Sequence, residues 1–263
     1  MKAFLLTIVL VLGASSTFAQ TCESLTNSLQ HLDFSRAKEL PVKPGNSTTF
    51  RMAYQECDAH DIFAGRALGS KHKCSSDPNH VERFQVFPDK TVVVVAKAAV
   101  DADGSALSQS RKGTSQPGTS LELGGKSLDA EFVPYIVIPG DHDGISLAQA
   151  SEVGMGDLAI VLRGSRCSFA IVGDSGPFFK FGEISLAAHE ELGNDQCLGT
   201  EKPCQKLKGP DGEGIGIERG VTYVIFPHSR PERLTAQDVR AVVATQGQKR
   251  LETFLRDYGA PTR

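Results

Sequence analysis

The feature that most constrains this chain is a series of short, β-branched and apolar runs separated by Gly, Asp and Pro turns. They read "TVVVVAKAAV" (91–100), "EFVPYIVIPG" (131–140), "GDLAIVLRG" (156–164), "CSFAIVGD" (167–174) and "GVTYVIFPHS" (220–229). Runs of this length and composition, each ending on a turn former, predict strands packed as a barrel or sandwich. Pro134 inside the second run marks an edge strand or a bulge, since proline cannot donate to a ladder. Two helices are expected beside them. "SLAAHEELG" has Ser185 as N-cap and Gly193 just past its end. The C-terminal stretch from Thr235 to Asp257 places Val239, Val242 and Val243 on one face.

Cysteine usage and the N-terminus set the compartment. The first nineteen residues, "MKAFLLTIVLVLGASSTFA", combine Lys2, an apolar run and small residues before Ala19, the pattern of a cleaved secretory signal. The apolar run is too short to span a bilayer. All six cysteines follow it, and an even count in an exported chain predicts three disulfides. Fifteen connectivities are possible. The short loops favour Cys57 with Cys74 and Cys197 with Cys204, which leaves Cys22 with Cys167. No C-x-x-C pair or downstream His-x-x-x-His supports a zinc site. The expected organisation is a signal peptide at 1–19, a polar, disulfide-stapled N-terminal extension at 20–81, and a strand-rich main domain with the C-terminal helix at 82–263. Beyond the signal the chain carries 27 basic and 31 acidic residues. That near balance argues against nucleic acid as a partner, and neither a membrane association nor a cofactor or metal is expected.

The stretch "FAIVGDSGPFFKFGEISLAAHEELG" (169–193) carries the chemistry. Its "GDSGP" is one glycine short of the motif around a trypsin-like nucleophile, but no suitable histidine lies upstream of Ser175, and the "AAH" ending at His189 follows it inside an expected helix. The same residues serve better to present carboxylates. A strand over Ser168–Val172 is expected to stop at a sharp turn made by Gly173, Gly176 and Pro177, so that Asp174 projects from a strand end. Glu183 follows nine residues on, just before the Ser185 cap. Two acids flanking one turn match the needs of glycoside hydrolysis, in which one carboxyl protonates the leaving oxygen and the other activates water.

The segments "VAKAAVDADGS", "TSLELGGKSLDAEFVPYIVIP", "GDLAIVL", "FAIVGDSGPFFKFGEISLA" and "GVTYVIFPHS", in that order from about Val94 to Ser229, resemble the fungal-type chitosanases of glycoside hydrolase family 75 and their bacterial relatives. The resemblance implies that Asp174 and Glu183 are the catalytic acids and that the anomeric carbon is inverted. "GDSGPFFKFGEISLAAHEELG" is also similar to double-psi β-barrel proteins such as expansins and rare-lipoprotein-A-like peptidoglycan lytic proteins. The implied fold is mainly β, a six-stranded double-psi β-barrel with a few short helices. Chitosan is a polycation, so its cleft should be lined by acids. Asp101, Asp103, Asp129 and Glu131 fall in family-like segments, and Tyr135 is a candidate sugar contact in a chain without tryptophan. "GDHDG", with Asp141 and Asp143, reads as a polar loop. A secreted monomer acting on chitosan is the expectation; a peptidoglycan-directed barrel protein without chitosanase activity is the alternative.

Overall fold

The apolar runs do form strands, and the strands close on themselves. The computed structural model describes residues 14–69, 73–110 and 116–259. In chain order the elements are α1 (Ala14–Gln30), β1 (Lys38–Glu39), α2 (Phe50–His60), β2 (Ile62–Phe63), β3 (Arg66–Ala67), β4 (Arg83–Val86), β5 (Val92–Asp101) and α3 (Ala106–Ser110). Then follow β6 (Tyr135–Pro139), α4 (Leu147–Ser151), β7 (Leu158–Arg163), β8 (Arg166–Gly176), β9 (Glu183–Ser185), α5 (Leu186–Glu191), β10 (Ile217–Phe226) and α6 (Val239–Tyr258). Hydrogen bonding runs β5–β10–β7–β8–β6–β9 and returns from β9 to β5, a closed barrel of six strands. It is mixed: β6 with β8 and β5 with β9 are parallel, and the other four pairings are antiparallel. β4 and β1 extend the sheet outward from β5.

Alternation along the strands separates two apolar cores. Val94, Ala96, Ala98, Ala159, Val161, Ala170, Val172, Ile136, Ile184, Val221 and Tyr223 share one cluster. Val93, Leu158, Ile160, Leu162, Phe169, Ile171 and Val224 share another with Phe254 and Tyr258 of α6. A six-stranded barrel has no room for a helix of 20 residues, so the parity that packs on α6 faces outward and the alanine-rich parity faces in. Gly247 of α6 rests on Phe169, where an added Cβ would lie 3.0 Å from the ring.

The N-terminal stretch shares the barrel's core. Phe50, Ala53, Tyr54 and Cys57 of α2 are buried in the interior cluster, and Tyr54 packs 6.2 Å from Phe181, which in turn lies 5.3 Å from Tyr223 of β10. The three disulfides are Cys22–Cys167, Cys57–Cys74 and Cys197–Cys204, the expected pairing. They place the chain in an oxidising environment. Among the described residues no helix is long and apolar enough to cross a membrane.

Some local expectations need correction. Pro134 precedes β6, which is not an edge, because it is flanked by β8 and β9; the irregularity in this run is a bulge opposite Ile136 and Val137. The C-terminal helix begins at Val239 rather than Thr235, because Thr235 and Asp238 bond each other's backbone through their side chains (2.7 and 3.3 Å) and hold the preceding turn. Ser185 caps α5 by accepting from the Ala188 amide, as expected.

Candidate active site

The largest change from the sequence reading concerns Gly173. Strand β8 does not stop at Val172; it runs on to Gly176, and no turn occurs at Gly173. Val172 pairs with Ile136 and Asp174 with Val137, so Gly173 is the extra residue of a β-bulge. Without it, Asp174 would follow Ala170 and Val172 into the barrel interior. With it, Asp174 takes the outward face of Val137. Only glycine fits here, since a Cβ would lie 2.6 Å from Tyr135 Cβ and 2.8 Å from Leu128 Cδ1.

Glu183 reaches the same face from the other side. The turn over Pro177–Gly182 brings the chain back, and β9 sets Glu183 opposite Val137 and Ile184 opposite Ile136. Asp174 and Glu183 therefore flank one residue of β6 on adjacent strands. The Glu183 carboxylate lies over Gly176, whose absent Cβ would be 3.1 Å from Oε2. Both acids line a cleft of about 670 Å³ with Asp101 and Asp103 from the end of β5, Gln116 and Ser175.

Hydrogen bonding distinguishes the acids. Asp174 Oδ1 accepts from the Ser120 amide (2.9 Å), the Ser120 hydroxyl (2.5 Å) and the Ser175 amide (2.7 Å), which fixes the carboxylate. Asp101 accepts from the Asp103 amide (2.8 Å), and Asp103 from the Gln116 amide (2.6 Å). Carboxylate oxygens of Asp101, Asp103 and Asp174 all lie within 4.8 Å of one another, a spacing that suits a hard cation, an ammonium group or a shared proton. Burial pushes the Asp101 carboxyl well above its usual range, and the charges of Asp103, Glu183 and Asp174 push the same way. Asp103 is raised to about 6, first by burial and then by Asp174 and Glu183, against its bond from Gln116. Burial also raises Glu183, opposed by Lys97 and Lys180 and reinforced by Asp77 and Asp174.

The other candidates lie elsewhere or play other parts. Tyr135 is fully buried, and its hydroxyl donates to the Asp103 carbonyl (3.1 Å), so it braces the acidic turn and offers no face to a sugar. Asp129 and Glu131 do not line the cleft. Asp129 accepts from the Glu131 amide, and buried Glu131 accepts from the Cys204 amide (2.7 Å), holding the Cys197–Cys204 loop. Asp157 is bonded to the amides of Gly154, Ser229 and Arg230. Asp143 pairs with Arg66 and His142. Among the described residues no serine-protease arrangement surrounds Ser175: His189 is buried, with Nε2 on the Ala99 carbonyl (3.1 Å) and Nδ1 facing the Asn194 amide (3.2 Å), and burial lowers it to about 4.

Ser120, Gln116, Asp77, Lys97 and Lys180 were not singled out in the sequence. For Lys97 a signal existed, since a lone lysine inside the run "VVVVAKAAV" must find a partner when the strand is buried. The partner is Asp77, which bridges Lys97 (2.6 Å) and Lys180 (2.8 Å) on the cleft wall.

The fold and site thus define a disulfide-bonded six-stranded mixed β-barrel with an acidic cleft on its outer face. Comparison with known protein families and with curated proteins returned no match.

Proposed function

We propose that the cleft is the active site of a secreted, inverting glycoside hydrolase that cuts β-1,4 linkages in chitosan, on a barrel of the double-psi type. The observation that carries this reading is the shared register of Asp174 and Glu183 against Val137. Two strand spacings separate their Cα atoms by about 10 Å, and both side chains take the same face. Inverting enzymes hold their carboxyls about 6.5–9.5 Å apart to admit a water between base and sugar.

The roles follow from the surroundings. Glu183, raised by burial, is the acid. Asp174, whose Oδ1 is occupied by three donors, keeps Oδ2 for a water. The water oxygen attacks the anomeric carbon as its proton passes to Asp174. The C1–O bond breaks, and the leaving oxygen takes the proton of Glu183. Asp101 and Asp103, crowded and short of counter-charge, suit the ammonium group of a glucosamine unit. Among the described residues Phe179 is the only aromatic lining the cleft, and it is buried, so recognition is electrostatic rather than by stacking. The two parallel pairings in a six-stranded barrel support the double-psi assignment.

The test is release of oligosaccharides from chitosan and, separately, from peptidoglycan. Asp174→Asn and Glu183→Gln should each lower chitosan turnover by at least ~100-fold while leaving the melting temperature near that of the wild type. Near-normal turnover in both folded variants would sink the assignment. Activity on peptidoglycan alone would favour a cell-wall-directed barrel protein.

A further inference from the structure

We propose that the Asp77–Lys97–Lys180 ion triad is the counter-charge of the Glu183 carboxyl and that Lys97 is its positioning residue. The inference rests on the reading of Glu183 as the acid. Lys97 lies two residues before Ala99 on β5, and Ala99 pairs with Glu183 in the parallel β5–β9 ladder. Side chains two apart on a strand share a face, so Lys97 is the diagonal neighbour of Glu183. Its stem also fixes the approach to β9. The carbonyl of Gly182 (φ +86°) accepts from the Ala99 amide at 2.6 Å, and a Cβ at Gly182 would meet the Lys97 carbonyl at 2.4 Å and Lys97 Cγ at 3.3 Å.

Lys97 is 4% exposed, so it is shielded from substrate; burial lowers its pKa below the usual lysine value, and the Asp77 carboxylate at 2.6 Å opposes that shift and favours the cation. Asp77, more than half exposed, also holds Lys180 through its side chain and carbonyl. Among the described residues, the charged groups that line the cleft with Glu183 or act on it are Lys97 and Asp101 of β5, Asp103 of the following turn, Asp174 of β8, Lys180 of the Pro177–Gly182 turn, Lys73, and Asp77 of the segment beyond Cys74. Without the lysines, Glu183 would face carboxylates alone and hold its proton too tightly to give it up. With Lys97 fixed beside it, the upward shift that burial imposes on the acid is held in check, which eases release of the proton to the leaving oxygen.

The experiment follows the Glu183 carboxyl directly, by ¹³C NMR titration of glutamate-labelled protein, assigned with Glu183→Gln. Lys97→Met keeps the stem and removes the charge; the Glu183 midpoint should rise by about one pH unit. Lys180→Met removes the other cation of the triad, so the midpoint should rise in that variant as well. In chitosan hydrolysis by Lys97→Met the basic limb of the pH–rate profile should move with the midpoint while KM stays unchanged, a split that a merely structural role would not produce. An unmoved midpoint in folded Lys97→Met or in folded Lys180→Met overturns the proposal; the second variant decides if the first fails to fold. Midpoints that move as stated in a protein that cleaves no chitosan would uphold the counter-charge and reject the chitosanase reading instead.

Discussion

Replacing Gly173 by alanine tests how the bulge presents Asp174. The added methyl would sit 2.6 Å from Tyr135 Cβ and 2.8 Å from both Tyr135 Cγ and Leu128 Cδ1. Neither neighbour can retreat into solvent: Tyr135 is 0% and Leu128 2% exposed. Forcing a methyl into such a packed site costs about 1–3 kcal/mol. A chain of this size loses about 2–4 °C of melting temperature per kcal/mol, so Gly173→Ala should melt about 2–12 °C below wild type. Gly69→Ala is the control, because a Cβ there meets nothing within 4 Å and the residue is exposed; its effect should stay within about 0.5 kcal/mol. Relief of the clash requires β8 and β6 to separate or slip. That movement shifts Asp174 relative to Ser120 and Glu183, so chitosan turnover should fall in the cold, where the variant remains folded. Thermal melting followed by near-UV circular dichroism, with turnover at 15 °C, reads both effects. If Gly173→Ala melts with the Gly69→Ala control and turns over normally, the bulge does not govern the site.

Asp103 should couple stability to pH. Its carboxyl is raised to about 6 in the folded protein, above the ordinary value of 3.8, so the folded state binds more protons between those limits and this contribution to stability weakens as pH rises from about 4 to 6. His189, lowered to about 4, acts in the opposite sense over about 4 to 6.5, so the test is a difference: urea unfolding of Asp103→Asn should lose less stability than wild type on going from pH 4 to 6. An equal or larger loss would contradict the assignment. Among the disulfides, Cys22–Cys167 closes 145 residues against 17 for Cys57–Cys74 and 7 for Cys197–Cys204. Replacing each pair by alanine should therefore cost most for Cys22–Cys167, about 2–5 kcal/mol, and least for Cys197–Cys204; the reverse order in chemical denaturation would count against loop closure as the cause.

Much of this molecule is local in origin and was readable from the chain alone. The β-branched runs form strands because alternate residues are apolar on both faces, one buried in the barrel and the other under helices. Ser185 caps α5 because its hydroxyl reaches an amide three residues on, and the disulfides join the cysteines that short loops and elimination favour. Asp174, Glu183, Asp101 and Asp103 stood out as acids around turns, and all four line the cleft. What tertiary structure decided is which way they point and what faces them. A period-two strand changes face with each inserted residue, so the outward aim of Asp174 depends on pairing with β6, 35 to 40 residues earlier, and on the space beside Tyr135 that only glycine leaves. Asp129 and Glu131 share the composition of the site acids, yet their backbone leads them to the Cys197–Cys204 loop. Lys97 meets Asp77 because Cys74 ties the segment 74–79 to Cys57 of α2 and Asn79 bonds it to the turn that carries Lys180, contacts that no local pattern encodes. Strand content is a property of short stretches, whereas the cleft is made by register and closure between strands far apart in the chain.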